Sequence, residues 1–251
     1  ALILPEVLDE SKWWQGKHHY IDPEGKYIFV FVGNASGGYV AYNANLVNPA
    51  QFNSYWNFLD PRWRGKVLSM DPSQSGRQRI GVRILYYTPE LGPEFLRRLY
   101  SEMEVTLTRE IRQATDWLAG GKFSICFFCS GVPEANKQGL PVDEFRTNQW
   151  KESQAVSAGS TGSLVLLNRA PHPNAAKLFI NWFLSREGQT ALQKLANTPV
   201  NALDSMRVDI SKEPVAPEDR RVDGMRYLLS DRPEFMDMQP IYKVVNEALK
   251  K

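Results

Sequence analysis

Short apolar runs and helical apolar stripes alternate along this chain. Residues 27–32, Tyr-Ile-Phe-Val-Phe-Val, are apolar on both faces and predict a strand covered on both sides. Glycines between positions 33 and 38 break the run, and residues 39–42 resume it. Residues 53–59 predict a short helix that stops at Asp60-Pro61, and residues 66–70 predict a strand. The polar turn Asp71-Pro72-Ser73-Gln74-Ser75-Gly76 then leads into a helix with Ile80, Ile84 and Tyr87 at helical spacing. Pro93 opens another helix, with Phe95, Leu96 and Leu99 on one face. Residues 105–108 predict a strand, 109–118 a helix stopped by Gly120, 123–128 a strand and 133–138 a short helix. This alternation argues an α/β fold with a mostly parallel sheet.

Residues 158–162 are small and flexible, and 163–167 predict a further strand. Pro173 starts a helix with the stripe Ala176, Phe179, Ile180 and Phe183. Ser185 is placed to cap the next helix, with Leu192 and Leu195 inward. Residues 211–221 are charged, hold two prolines and predict a surface excursion. Residues 240–251 predict an amphipathic helix built on Ile241, Val244, Val245 and Leu249. Trp13-Trp14 predicts core packing of an incoming segment.

Composition narrows the function classes. With 251 residues, 43% hydrophobic and 23% charged, the chain can bury a sizeable core. The net charge is only +2 and no basic stripe occurs, which argues against nucleic acid as partner. No apolar run approaches the roughly 18–20 residues that span a membrane. The start, Ala1-Leu2-Ile3-Leu4 followed by Pro5-Glu6, is too short for a signal-peptide core. We expect either a removed leader or a chain that begins inside a longer protein.

Candidate chemistry is sparse. Cys126-Phe127-Phe128-Cys129 has the spacing of a redox pair. Its alternative is two small apolar residues in a buried strand, and residues three apart on a strand face opposite sides. The second reading is the expectation here. His18, His19 and His172 are far from the cysteines, so no metal site is expected. No nucleophile elbow, P-loop, zinc-protease or dinucleotide motif occurs, and neither cysteine has an identifiable base. No catalytic residue and no cofactor are assigned. The 71–76 turn ahead of a helix offers an anion site at the helix N-terminus; on spacing alone, Ser73 or Ser75 acting as a plain N-cap is the expectation.

Two stretches add a resemblance. Residues 54–67, Ser-Tyr-Trp-Asn-Phe-Leu-Asp-Pro-Arg-Trp-Arg-Gly-Lys-Val, run on to the Asp71–Gly76 turn. Gly162-Ser163-Leu164-Val165-Leu166-Leu167 is followed by Ala170-Pro171-His172-Pro173-Asn174-Ala175-Ala176-Lys177-Leu178-Phe179-Ile180 and by Phe183-Leu184-Ser185-Arg186-Glu187-Gly188-Gln189. Both resemble the extracellular solute-binding proteins of ABC importers, in the branch that serves iron, thiamine, polyamines and phosphonates. The resemblance implies an α/β, type II periplasmic-binding (Venus-flytrap) architecture with two lobes and hinge-crossing strands near 32–39 and 157–162. Residues 39–157 would form the second lobe, and 1–38 with 158–251 the first, incomplete for want of the family's opening βαβ segment. It further implies a small polar, anionic solute, a carboxylate or phosphonate, bound in an interlobe cleft and handed to a membrane permease. The ligand-binding residues would be Ser73, Ser75, Gly76, Arg77, Ser130, Gly131, Ser160, Thr161 and Tyr39. Ferric iron is the alternative cargo, yet iron-binding relatives carry adjacent tyrosines where this chain has Phe127-Phe128-Cys129-Ser130. A non-catalytic interaction module that has lost its ligand is a further alternative. The implied protein is a monomer, periplasmic, or extracellular and membrane-tethered in a Gram-positive organism.

Overall fold

The computed structural model describes all residues except 1, 37–38, 148–149, 153, 158–161, 199–201 and 251. In chain order its strands are β1 (Ile28–Val30), β2 (Asn34–Ser36), β3 (Val40–Asn43), β4 (Val67–Met70), β5 (Thr106–Thr108), β6 (Ile125–Phe127), β7 (Val142–Glu144), β8 (Gln154–Ser157), β9 (Ser163–Val165) and β10 (Tyr227–Leu229). Its α-helices are α1 (Pro5–Leu8), α2 (Arg77–Tyr87), α3 (Gly92–Glu102), α4 (Ile111–Ala119), α5 (Val132–Lys137), α6 (Pro173–Leu184), α7 (Arg186–Ala196) and α8 (Gln239–Leu249). The chain divides into two compact units, one of residues 1–35 and 156–236, the other of 36–155 and 237–251.

The second unit is built on a five-stranded sheet in the order β5-β4-β6-β3-β7. β4 is parallel to β5 and to β6, whereas β3 runs antiparallel to both β6 and β7. The sheet is therefore mixed, not mostly parallel: β3 is reversed, and its two pairings are antiparallel while the other two are parallel. Each of β3, β4 and β6 is buried along its whole length, which suits apolar runs covered on both faces. Phe58 sits at the centre of an aromatic cluster, its ring 5.1 Å from Phe127, 5.2 Å from Phe145 and 5.6 Å from Trp150. The 53–59 segment is a 3-10 turn over Tyr55–Leu59, fixed by a capping box between Ser54 and Asn57. α8 also belongs to this unit: Ile241, Val245 and Ala248 are buried in its core. The sequence reading grouped those residues with the other lobe; a stripe of apolar residues fixes a helix's inner face but not the core it meets.

In the first unit β1 and β9 pair antiparallel with Phe29 opposite Leu164, and Ile180 and Leu184 of α6 share a core with Phe29 and Val30 of β1. β10, β8 and β2 form a separate three-stranded sheet. Trp13 and Phe29 form the centre of the core with a T-shaped contact at 4.8 Å, and Trp13 donates its Nε1–H to the carbonyl of Val7 at 3.0 Å. Residues 211–221 are not a loose excursion. Val215 is fully buried, Lys212 donates to the Asp204 carboxylate at 2.8 Å, and the Arg221 backbone N–H donates to the same group at 3.0 Å. Charged residues there read as solvated because their buried partner, Asp204, lies outside the segment.

Ser185 caps α7 as its spacing predicts. Its hydroxyl accepts from the Gly188 N–H at 3.2 Å and donates to the Trp182 carbonyl at 2.6 Å. A Cβ at position 188 would strike the backbone of Trp182 and Phe183, so only glycine allows α6 and α7 to approach this closely. Ser185→Ala is expected to lower stability by about 1 kcal/mol, measured as a reduced urea midpoint with unchanged m-value.

Candidate functional site

The direction of the strands brings four loops of the second unit to one edge of its sheet. Met70 pairs with Thr108 and Ser69 with Phe127, so the C-terminal ends of β4, β5 and β6 lie together. The reversed strand β3 starts at the same edge, with Val40 opposite Phe127, and β7 ends there, with Glu144 opposite Ala41. The edge therefore gathers the 71–76 turn, Arg109, the 128–131 turn, Tyr39 and Glu144. Strand ends of this kind are where α/β sheets place ligands.

The 71–76 turn is held by Asp71. Its carboxylate accepts from the Ser73 N–H at 2.9 Å and from Arg109 Nε at 2.8 Å. Burial pushes the Asp71 carboxyl up, but the Ser73 and Arg109 hydrogen bonds outweigh it and leave the group below its ordinary value. The turn ends at Gly76, whose φ of 110° is closed to side-chain-bearing residues. Gly76 is the N-cap of α2, and no side chain caps that helix. Neither Ser73 nor Ser75 is thus consumed as a helix cap; both are exposed beside the first turn of α2, as is Gly76.

Arg77, the first residue of α2, is not the free forked donor that the sequence suggests. Its Nη2 donates to Glu144 Oε1 at 2.7 Å, and its guanidinium lies 4.3 Å from the centre of the Tyr39 ring. The side chain reaches from the first turn of α2 to Glu144 at the end of β7. Burial holds the Glu144 carboxyl above its ordinary value; Arg77 opposes this, while Asp143 and Glu134 reinforce it. Glu144 was missed in sequence because 67 positions separate it from Arg77. Tyr39 has a left-handed backbone, φ 54°, unusual for an aromatic residue, and its carbonyl accepts from the Phe128 N–H at 2.6 Å.

The 128–131 turn carries the main departure from expectation. Cys126 and Cys129 form a disulfide, and both are fully buried. The strand ends at Phe127, and Phe128 adopts φ 66°, which turns the chain back so that the two Cα atoms come within 5.8 Å. Residues three apart face opposite sides only while the chain stays extended, and Phe128 is not extended. Beyond the bridge, the Ser130 carbonyl accepts from Thr115 Oγ1 at 3.1 Å, and Gly131, at φ 74°, is the N-cap of α5 without a side-chain cap. Of the candidate residues, Ser73, Ser75, Gly76, Ser130, Gly131 and Tyr39 lie on loops at this end of the sheet and Arg77 in the first turn of α2; Ser160 and Thr161 lie outside the described residues.

No family model matches the sequence, and no curated protein matches it. Solved structures do. The chain is similar to apo FutA2 from Synechocystis PCC6803 at 18% identity and a TM-score of 0.63, over 99% of this chain and 77% of that one. It is similar to the periplasmic binding protein AfuA from Actinobacillus pleuropneumoniae, solved with exogenous fructose-6-phosphate bound, at 16% identity and a TM-score of 0.52, over 99% and 76% of the two chains. For the Trichodesmium IdiA (FutA) protein in complex with iron and citrate ligands, the values are 15%, 0.55, 100% and 75%. At these identities the likeness is one of fold: the chain has the α/β architecture of type II periplasmic binding proteins.

Proposed function

We propose that the chain binds a small polar, anionic solute, a carboxylate or phosphonate, and delivers it to the permease of an ABC importer without chemical change. The reading rests on the start of α2, where a helix N-terminus without a side-chain cap follows the exposed Ser73 and Ser75 at the end of β4 and opens on Arg77. The first-turn N–H groups of a helix have no intrahelical acceptor and carry partial positive charge, which suits an anion. Arg77 adds a planar, charged donor. In this reading Ser130 and Gly131 border the solute and Tyr39 walls it; Ser160 and Thr161 remain candidates outside the described residues. The setting is extracytoplasmic, periplasmic or outside the cell, and among the described residues no helix is long and apolar enough to cross a membrane. The sugar phosphate bound by AfuA supports an anionic cargo.

Ferric iron is the second reading, favoured by the iron and citrate of the Trichodesmium protein. The oxygen donors at the edge are Tyr39, Glu144 and Asp71, and both carboxylates already accept from arginines. A thermal-shift screen with methylphosphonate, acetate, other carboxylates and ferric citrate separates the readings. An anion at about 100 times its Kd is expected to add roughly 2.7 kcal/mol of stability. Arg77→Ala is expected to weaken that binding by about tenfold, the worth of a charge-assisted hydrogen bond. A shift with ferric citrate alone transfers the assignment to iron. No shift with any probe refutes solute binding at this edge.

A further inference from the structure

We propose that Glu144 is an internal competitor for Arg77: its carboxylate holds the guanidinium that an incoming anion must take over, and so lowers the affinity of the site for every anion. The inference rests on the anionic-solute reading above and deepens it. Glu144 is itself a carboxylate, bonded at 2.7 Å to the arginine that the reading assigns to the ligand. It therefore stands where the solute's own carboxylate or phosphonate oxygen would be received.

Three further features fit an exchange of anions at a fixed guanidinium. The Tyr39 ring, 4.3 Å from the guanidinium, supports its plane independently of Glu144. Arg77 Nε is buried and has no hydrogen-bond partner among the described residues, so the fork is only partly used there. The surroundings of Glu144 disfavour its charge: Asp143 on its own strand and Glu134 on α5 face it with like charge, and Arg77 from α2 is the cation that opposes them. A carboxylate so placed is readily given up. The competitor lowers the affinity for every anion by the same factor, the fraction of time the guanidinium is held, and a proton on Glu144 releases Arg77.

The test is Glu144→Gln, which keeps the shape of the side chain, assayed with methanesulfonate, whose charge is constant between pH 5 and 8. At pH 7.5 the variant is expected to bind about fivefold tighter than wild type by titration calorimetry, the upper range for release from a partly exposed ion pair. Wild-type affinity is expected to rise as pH falls towards 5, with the variant flat over the same range. Glu144→Ala, checked by circular dichroism for folding, is expected to act in the same direction. Equal or weaker binding by the variants overturns the competitor while leaving the site reading intact. No binding of any probe by wild type or variants refutes the site itself, and the competitor with it.

Discussion

Asp209→Ala is expected to cost about 3 kcal/mol in the stability of the first unit, the largest effect foreseen outside the apolar cores. Arg207 is fully buried, and Asp209 accepts from it in a bidentate fork, Nε and Nη2 each at 2.8 Å. Deleting one partner of a buried pair leaves an uncompensated charge, which costs about 3–5 kcal/mol. The low end applies because Glu6, 3.6 Å away, remains as a second carboxylate, and the Leu184 carbonyl keeps its hydrogen bond at 3.0 Å. The sign with pH follows from linkage. Hydrogen bonds from Arg207 hold the Asp209 carboxyl below its ordinary value of 3.8. The folded state therefore binds that proton less readily than the unfolded state does. Its contribution is complete at neutral pH and is lost as pH falls through the depressed folded value. Urea unfolding of wild type and variant should differ by about 3 kcal/mol at pH 7 and converge as pH drops below 4. A difference independent of pH would mean that Asp209 acts through packing and not through its charge.

Local signals in the sequence translated well where local physics decides the structure. The apolar runs at 66–70 and 123–128 became the buried strands β4 and β6, and Ser185 became a cap, because periodicity and capping act within one turn or strand. Partnership between distant segments was not legible. Glu144 meets Arg77 only because β7 joins the sheet beyond the reversed β3, and β7 is three residues long with one fully buried position. The short β2, β8 and β10 gave no periodic signal either, since three or four residues are too few to define one. Asp204 turned a charged loop into an anchored one through Lys212 and Arg221, a pairing that composition counts as surface. The site turn at 71–76 was visible as polar punctuation between a strand and a helix; that neither serine caps the helix was not, because Gly76 takes the cap position through a φ available to glycine.

The disulfide gives the second large effect. Cys126→Ser with Cys129→Ser is expected to lower the stability of the second unit by about 2 kcal/mol, the loop-closure value for a ring of four residues. The bridge also keeps Phe128 in the left-handed region, which a bulky residue enters at a cost of order 1 kcal/mol or more. Without the bridge, that local preference favours an extended Phe128. The Phe128 N–H bond to the Tyr39 carbonyl and the placement of Ser130 and Gly131 then loosen together. The double variant should therefore lose solute affinity as well as stability, and amide exchange at residues 128–131 should accelerate more than in the centre of β4. Both sulfurs are buried, so reductant added to the native protein should act slowly, and quickly once urea opens the unit. Prompt reduction under native conditions would show that the 128–131 turn opens on its own, and would recast the bridge as a responsive element of the site. Loss of stability without any change in affinity would confine the bridge to the core and remove the 128–131 turn from the ligand's surroundings.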